Sequence, residues 1–214
     1  MLSLENVTIS YGAAPVVEEV FFQIFPGERV GLFGANGCGK TSVAMGIMGM
    51  IPAFGGEICG NIFYKETELL SLSPVQMKKI RWREISIVSQ FSMSALNPSF
   101  TLEKTFLETF RAHGEKGRQT EALLALTGLD NSFLKRYPHQ LSGGQLGRVS
   151  IALALALSPK LLILDEATTG LDPLSEADIL YAIKQIQEER GLSLLFISHD
   201  RRLQKAFCHR SVDL

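Results

Sequence analysis

The sequence has few cysteines, no long apolar run and almost no net charge. Its three cysteines contain no Cys-x-x-Cys pair, which argues against a cysteine-bound metal and fits a reducing compartment. The longest purely apolar run, Ile151 to Leu157, is far shorter than the roughly 20 residues that span a bilayer. A formal net charge of −1 offers no basic surface for nucleic acid, so we expect no nucleic-acid partner.

The sequence also shows no signal-peptide pattern, no internal repeat and no low-complexity segment. The first residues show no basic stretch followed by an apolar one, so we expect no secretory leader. With 46% apolar and 20% charged residues, the composition is that of a globular protein, and we expect a cytoplasmic one. A chain of 214 residues can hold one sizeable core with a smaller lobe attached.

A phosphate-binding loop is encoded at residues 34–41, which read Gly-Ala-Asn-Gly-Cys-Gly-Lys-Thr and fit the spacing Gly-x-x-x-x-Gly-Lys-Thr. The glycines allow backbone angles closed to other residues, so that successive N–H groups can surround phosphate oxygens. Lys40 adds a mobile positive charge, and Thr41 offers a hydroxyl to Mg²⁺. A predicted strand before the loop and a helix after it disfavour a simple glycine-rich turn. The predicted nucleotide contacts are Gly34, Asn36, Gly37, Cys38, Gly39, Lys40, Thr41 and Ser42.

Two consecutive carboxylates, Asp165 and Glu166, follow a buried apolar run at residues 161–164. A carboxylate at the end of a buried strand beside a phosphate loop is placed to hold Mg²⁺, which is the role we predict for Asp165. Glu166 would then polarise the water that attacks the terminal phosphate. A helix cap at the strand exit would explain one acidic residue but not two in a row.

A second anion site is predicted where a serine and two glycines open a helix, in the segment Leu-Ser-Gly-Gly-Gln at residues 141–145. One nucleotide seldom needs two such sites in one chain. Two copies facing each other would use both, each offering its helix end to the nucleotide on the other's loop. The residues predicted to do so are Ser142, Gly143, Gly144 and Gln145.

The order of the predicted elements indicates an α/β fold with a mixed-sheet core. Strands are predicted over residues 2–9, 16–25, 28–33, 57–64, 85–88, 161–164 and 194–197, and helices over 42–48, 74–83, 143–157 and 174–190. The core would comprise residues 1–91 and 142–214, with a mainly helical subdomain inserted at about 92–141. We expect a shortened C-terminal end, with the chain stopping about where a late strand should begin.

Together these motifs resemble the ATP-binding subunit of an ABC transporter, over essentially the whole length. They occur in the family's order at residues 34–41, 90, 141–145, 161–166, 170–172 and 197–200. The resemblance implies a P-loop NTPase fold of the ABC-ATPase type that binds and hydrolyses ATP with Mg²⁺.

The resemblance also implies roles for single residues outside the phosphate loop. Tyr11 would stack on adenine, although an ordinary turn tyrosine is the alternative. Gln90 would contact Mg²⁺ and the attacking water, and Asp172 would meet the partner's phosphate loop. His199 would contact the γ-phosphate, so that Glu166, His199 and Gln90 form the implied catalytic group.

A narrower resemblance, to the peptide and nickel importer subfamily, rests on Ser-Ala-Leu-Asn-Pro at 94–98 and Arg-Tyr-Pro-His-Gln at 136–140. It implies import of peptides, nickel or metal–chelator complexes from the cytoplasmic face of the bacterial inner membrane. The implied partners are transmembrane permease subunits, a second ATPase subunit that is identical or related, and indirectly an extracytoplasmic substrate-binding protein. Two alternatives remain open: a soluble ABC-type ATPase acting on DNA or ribosomes, and a non-hydrolysing nucleotide-gated adaptor.

Overall fold

The computed structural model describes residues 1–89, 96–115, 120–169 and 171–214, which form strands, helices and short 3-10 turns. The strands are β1 (Leu2–Tyr11), β2 (Ala14–Ile24), β3 (Arg29–Phe33), β4 (Glu57–Tyr64), β5 (Thr67–Glu68), β6 (Ile85–Ser89), β7 (Leu161–Asp165), β8 (Ser193–Ile197) and β9 (Arg210–Asp213). The helices are α1 (Lys40–Ile47), α2 (Pro74–Ile80), α3 (Leu102–Ala112), α4 (Thr120–Leu126), α5 (Gly143–Ala154), α6 (Pro173–Arg190) and α7 (Arg201–Phe207).

The early strands form an antiparallel sheet in the order β2-β1-β4-β5. Alternate residues of β1, among them Leu2 and Leu4, point into the core, while their neighbours are partly exposed. This period-2 pattern is what a sheet with one buried face requires. The sheet covers one side of the molecule and contributes its apolar face to the core beside α1.

The later strands form a parallel sheet in the order β6-β7-β8-β3-β9. Every residue of β7 and β8 is buried. Leu161 and Ile163 face the cluster that includes α1 and the antiparallel sheet, whereas Leu162 and Leu164 face the cluster that includes α5 and α6. Burial on both faces explains why these strands are continuous apolar runs rather than alternating ones.

The predicted α/β class, with antiparallel and parallel strands, is confirmed, and the two kinds of strand lie in separate sheets. The sequence predicts a chain end about where a late strand should begin, and such a strand, β9, does form and pairs in parallel with β3. A shortened C-terminal end stays a prediction. Two ion pairs flank this strand, Arg201–Asp213 and Arg210–Glu28, each at 2.7 Å. The free edge of β3 therefore accepts a strand of only four residues.

The second predicted helix is shorter than expected, because α2 ends at Ile80 rather than at residue 83. Arg81 leaves the helical region with ψ 136°, and its side chain donates to Met48 O at 2.7 Å and Gly49 O at 2.9 Å. Those contacts with the segment after α1 turn the chain out of the helix. The helix at 143–157 likewise ends early, at Ala154.

Between β6 and β7 the described residues contain helices and 3-10 turns but no strand. Thr101 caps α3 by accepting from Lys104 N at 3.3 Å, and Phe106 and Phe110 bury the inner face of this helix. The boundaries of a separate helical subdomain stay a prediction. Within the described part of the chain, no helix combines the length and hydropathy of a membrane span.

We predict that Leu162→Ala in β7 lowers the free energy of unfolding by about 2–5 kcal/mol, because it leaves a cavity at a position that is 0% exposed. The control is Leu174→Ala on α6, where the same side chain is 73% exposed and the change should stay within about 0.5 kcal/mol. Urea unfolding of both variants compares them. Equal losses would contradict the burial of β7.

Candidate functional site

The phosphate loop leaves the carboxyl end of β3 and enters α1 at Lys40. Gly37 and Gly39 have φ angles of 83° and 94°, in the left-handed region that favours glycine. A Cβ on Gly39 would overlap Val17 Cγ2 and lie 2.7 Å from Val16 O. The second strand thus packs directly against the loop, and only glycine fits there.

The Lys40 side chain folds back over this loop and is only 6% exposed. Its Nζ donates to Gly34 O and Ala35 O, both at 2.8 Å. The ammonium group therefore lies over the loop, next to the N-terminus of α1. Backbone N–H groups, a helix dipole and a buried cation together favour a phosphate group at this point.

Asp165, the last residue of β7, is a buried carboxylate that is only 2% exposed. Thr41 Oγ1 donates to its Oδ1 at 3.2 Å. Burial raises the pKa of Asp165, and the neighbouring Glu166 adds to the rise, while the Thr41 hydroxyl and the Lys40 charge oppose it. A hydroxyl and a carboxylate are the hard oxygen donors that Mg²⁺ prefers, and a cation would offset the desolvation of the carboxylate. This donor pair fits the predicted magnesium site.

Glu166 turns out of the sheet in a left-handed conformation, with φ 51°. Its backbone N–H donates to Ile197 O at 3.1 Å, which ties the exit of β7 to that of β8. His199 Nδ1 lies 3.1 Å from both oxygens of the Glu166 carboxylate. Thr169 Oγ1 donates to Oε2 at 2.6 Å. The carboxylate is thus held from two sides.

These groups line one cleft of about 410 Å³. Its lining residues are Val16, Asn36, Gly37, Gly39, Lys40, Thr41, Ser42, Glu166, Thr169 and His199. Gly34 is buried, and the Cys38 side chain lines a separate cleft together with residues 212–214. The cleft can take a phosphate chain at the loop, with a carboxylate and an imidazole at the far side.

Sequence reasoning missed two lining residues, Val16 and Thr169. Thr169 N donates to Glu166 O at 3.1 Å, so a turn brings its hydroxyl back to the carboxylate three residues earlier. The signal available in the sequence was a hydroxyl residue three positions after Glu166. Val16 lies on an edge strand, and nothing in its local sequence distinguishes it from other strand valines.

Tyr11 lies in a neighbouring cleft of about 570 Å³ rather than in the phosphate cleft. Met45 and Phe54 line that neighbouring cleft beside it, and Thr41 and Glu166 border both clefts. An aromatic ring is therefore available next to the phosphate site. Its stacking on adenine stays a prediction.

The segment 142–145 does not line the phosphate cleft of its own chain. Ser142 Oγ accepts from Gln145 N at 3.3 Å, and Gln145 Oε1 accepts from Ser142 N at 3.0 Å, which caps α5 reciprocally. Ser142 and Gly143 are exposed, and a Cβ on Gly144 would lie 3.3 Å from Ser175 Oγ on α6. This helix end therefore faces outward.

Asp172 is exposed and caps α6, accepting from Ser175 N at 3.0 Å. Hydrogen bonds from Ser175 and the nearby backbone hold the pKa of Asp172 below its usual value. The structure does not bring Asp172 to the phosphate cleft of its own chain. The remaining predicted residue, Gln90, lies outside the described residues.

Residues 17–169, most of the chain, match the model of the ABC transporter family. The chain belongs to this family. It is 37% identical over 212 residues to the dipeptide transport ATP-binding protein DppD of Bacillus subtilis, covering 94% of this chain and 63% of that protein. It is 40% identical over 201 residues to the nickel import ATP-binding protein NikE of Escherichia coli, covering 91% of this chain and 73% of that protein.

Solved structures of the family share the fold. The ABC transporter cassette MJ0796, solved as a dimer, is 26% identical to this chain and superposes on it with a TM-score of 0.87. The match covers 100% of this chain and 94% of the MJ0796 chain. The same cassette is also known as a dimer in a post-hydrolysis state, bound to ADP and Pi, with a TM-score of 0.84. The resemblance inferred from the motifs and the ABC-ATPase fold are both confirmed.

We predict that Gly39→Ala weakens MgATP binding about tenfold or more. The added Cβ displaces the loop from Val17 and disturbs hydrogen bonds to charged phosphate that contribute about 1.5–3 kcal/mol each. Titration with a fluorescent ATP analogue measures the loss.

Gly12→Ala is the matched control for this change. Gly12 also has a left-handed φ, 71°, but a Cβ there meets nothing within 4 Å. The control should lose about 1–2 kcal/mol of stability from backbone strain and bind ATP normally. Equal affinities of the two variants would contradict the proposed loop contacts.

Proposed function

We propose that this chain is the ATP-binding and ATP-hydrolysing subunit of an importer for peptides, nickel or metal–chelator complexes. The observation that carries the proposal is the cleft in which the phosphate loop, Glu166 and His199 meet. Asp165 lines the adjoining cleft and joins this site through its hydrogen bond from Thr41. DppD, a dipeptide transport ATP-binding protein, and NikE, a nickel import ATP-binding protein, favour this function over a DNA- or ribosome-associated ATPase.

In the proposed mechanism the backbone N–H groups of residues 36–41 and the Lys40 ammonium hold the β- and γ-phosphates. Thr41 and Asp165 would hold Mg²⁺, which would supply positive charge beside the phosphates. The Glu166 carboxylate orients the attacking water and accepts a proton from it. His199 holds this carboxylate in place through its contact with both carboxylate oxygens. Catalysis comes from positioning and charge neutralisation and needs no covalent intermediate.

The catalytically competent unit is proposed to be a dimer, of two identical or two related chains. Ser142 and Gly143 are exposed at the start of α5 and are missing from the lining of their own chain's cleft, so their anion site is free to serve another chain. Asp172, also exposed, would approach the partner's loop. The dimeric structures of the MJ0796 cassette support a dimer.

The permease subunits are proposed to dock in an apolar groove of about 520 Å³ between β6 and α3. Trp82, Ile87, Phe100 and Leu153 supply much of its apolar lining. Leu96 and Asn97, from the segment that resembles the peptide and nickel subfamily, also line it. The groove belongs largely to residues 92–141, which we propose as a helical subdomain inserted between core segments 1–91 and 142–214. Docking would place the chain at the cytoplasmic face of the inner membrane.

We predict that Glu166→Gln retains MgATP binding and lowers kcat about 100-fold or more, because the amide no longer accepts the proton of the attacking water. Glu66→Gln, at an exposed glutamate of the turn between β4 and β5, is the control and should keep full turnover. A steady-state phosphate-release assay with the permease compares them. Turnover of Glu166→Gln close to the parent's would remove Glu166 from this role.

We predict that Ala112→Arg abolishes co-purification with the permease subunits while MgATP affinity is retained. Ala112 is exposed on α3 and lines the groove, so a long charged side chain fills it without disturbing the core. Ala125→Arg, at an exposed position of α4 outside the groove lining, should co-purify normally. Permease recovery with Ala112→Arg equal to that of the control would place the docking surface elsewhere.

A further inference from the structure

A glutamine on α7, Gln204, is completely buried against the carboxyl ends of β3 and β8, next to the nucleotide site. Its Nε2 donates to Leu32 O at 2.8 Å and to Ser198 O at 3.2 Å, and Phe196 O lies 3.4 Å away. The two amide hydrogens are thus directed at backbone carbonyls of β3 and of the β8 exit. One side chain bridges the ends of two neighbouring strands.

These two strand ends lead directly into the nucleotide site. Leu32 precedes the phosphate loop by two residues, and Ser198 is the residue immediately before His199. The amide of Gln204 therefore holds together the starting points of the loop and of the histidine. The ladder between β3 and β8 pairs Leu32 with Ile197, and the Gln204 side chain adds a bridge one residue beyond β8, at Ser198.

The sheet is shaped to admit this amide. Gly31 lies on β3 beneath it, and a Cβ there would lie 2.9 Å from Gln204 Cδ and Oε1 and equally close to Ser211 Oγ on β9. A side chain at position 31 would therefore push the amide away from the carbonyls. The close approach makes Gly31 and Gln204 an interlocked pair.

The amide carries a penalty as well as a benefit. Among the described residues, Gln204 Oε1 is one of three buried side-chain oxygens without a hydrogen-bond partner. An apolar side chain of the same length would avoid that desolvation penalty. The favourable contribution of this residue therefore lies in its donor group and in the carbonyls that the group holds.

We propose that Gln204 is a positioning residue for ATP hydrolysis, which fixes the spacing between the phosphate loop and His199. Because His199 holds the Glu166 carboxylate, the bridge also sets where Glu166 stands relative to the phosphates. The proposal rests on the proposed function of this cleft. Gln204 itself does not line the cleft, so it acts through the backbone.

The chain supplies a control in Gln187, a second buried glutamine, which contacts the amino-terminal end of β3. Its Nε2 donates to Gly27 O at 2.7 Å, and its Oε1 accepts from Arg29 Nη1. Replacing either glutamine by methionine removes a buried amide that holds the backbone. Only Gln204 lies at the strand ends that lead into the phosphate loop and His199.

The test compares Gln204→Met and Gln187→Met by kcat, by MgATP affinity and by the NMR shifts of the His199 ring in the nucleotide-free chain. We expect Gln204→Met to lower kcat about tenfold or more, since misplacing reacting groups by 1 Å can cost about 100-fold. MgATP affinity should change less than about threefold, because the substitution removes no group that contacts the phosphates. The His199 shifts should move in Gln204→Met and stay constant in Gln187→Met.

Unchanged His199 shifts in Gln204→Met, or equal effects of the two variants on kcat, would overturn the positioning role. A parent chain that binds no MgATP would instead refute the proposed function, and the His199 shifts would still show whether Gln204 positions His199.

A double-mutant cycle adds a readout that needs no nucleotide. Gly31→Ala should destabilise the parent more than it destabilises Gln204→Ala, where the overlap with Gln204 is gone and only the close contact with Ser211 Oγ is left. Additive effects would show that the pair is not interlocked.

Discussion

Three buried parallel strands, β7, β8 and β3, lie side by side, and their ladder hydrogen bonds hold neighbours about 4.8 Å apart. Parallel strands end at the same edge of a sheet, so each carries a different functional group to the same place. The phosphate loop follows β3, Asp165 ends β7 and His199 follows β8. The geometry of the site is therefore a consequence of strand order, and the order depends on apolar burial on both faces.

Placing charged groups at this edge has an electrostatic consequence. Asp165 is buried with a raised pKa, and Lys40 is buried over the loop, so both lie in surroundings where charge is poorly solvated. Such an arrangement binds an anion and a cation together better than either alone. A phosphate chain beside Lys40 would gain from the low polarity of these surroundings, and a cation beside Asp165, as we propose, would offset the cost of burying its carboxylate.

Much of the fold was predictable because its signals are local. The apolar runs of β7 and β8, the glycine cap Gly191 on α6 and the strand–loop–helix unit around Lys40 all depend on neighbouring residues. Predictions fell short where distant contacts decide the outcome. Arg81 ends α2 through hydrogen bonds to the segment after α1, and β9 forms because β3 leaves an edge open. Neither cause lies within the segment that it changes.

The sequence by itself determined the family, the phosphate loop and the chemical identity of the predicted site residues, because motif spacing encodes backbone turns over a few residues. Only the tertiary structure decided which groups meet. It placed Thr169 on the carboxylate of Glu166, kept Tyr11 and the Cys38 thiol out of the phosphate cleft, and buried Gln204 across two strand ends. Those contacts depend on the packing of elements far apart in the chain, and packing is a property of the whole folded molecule that no short segment encodes.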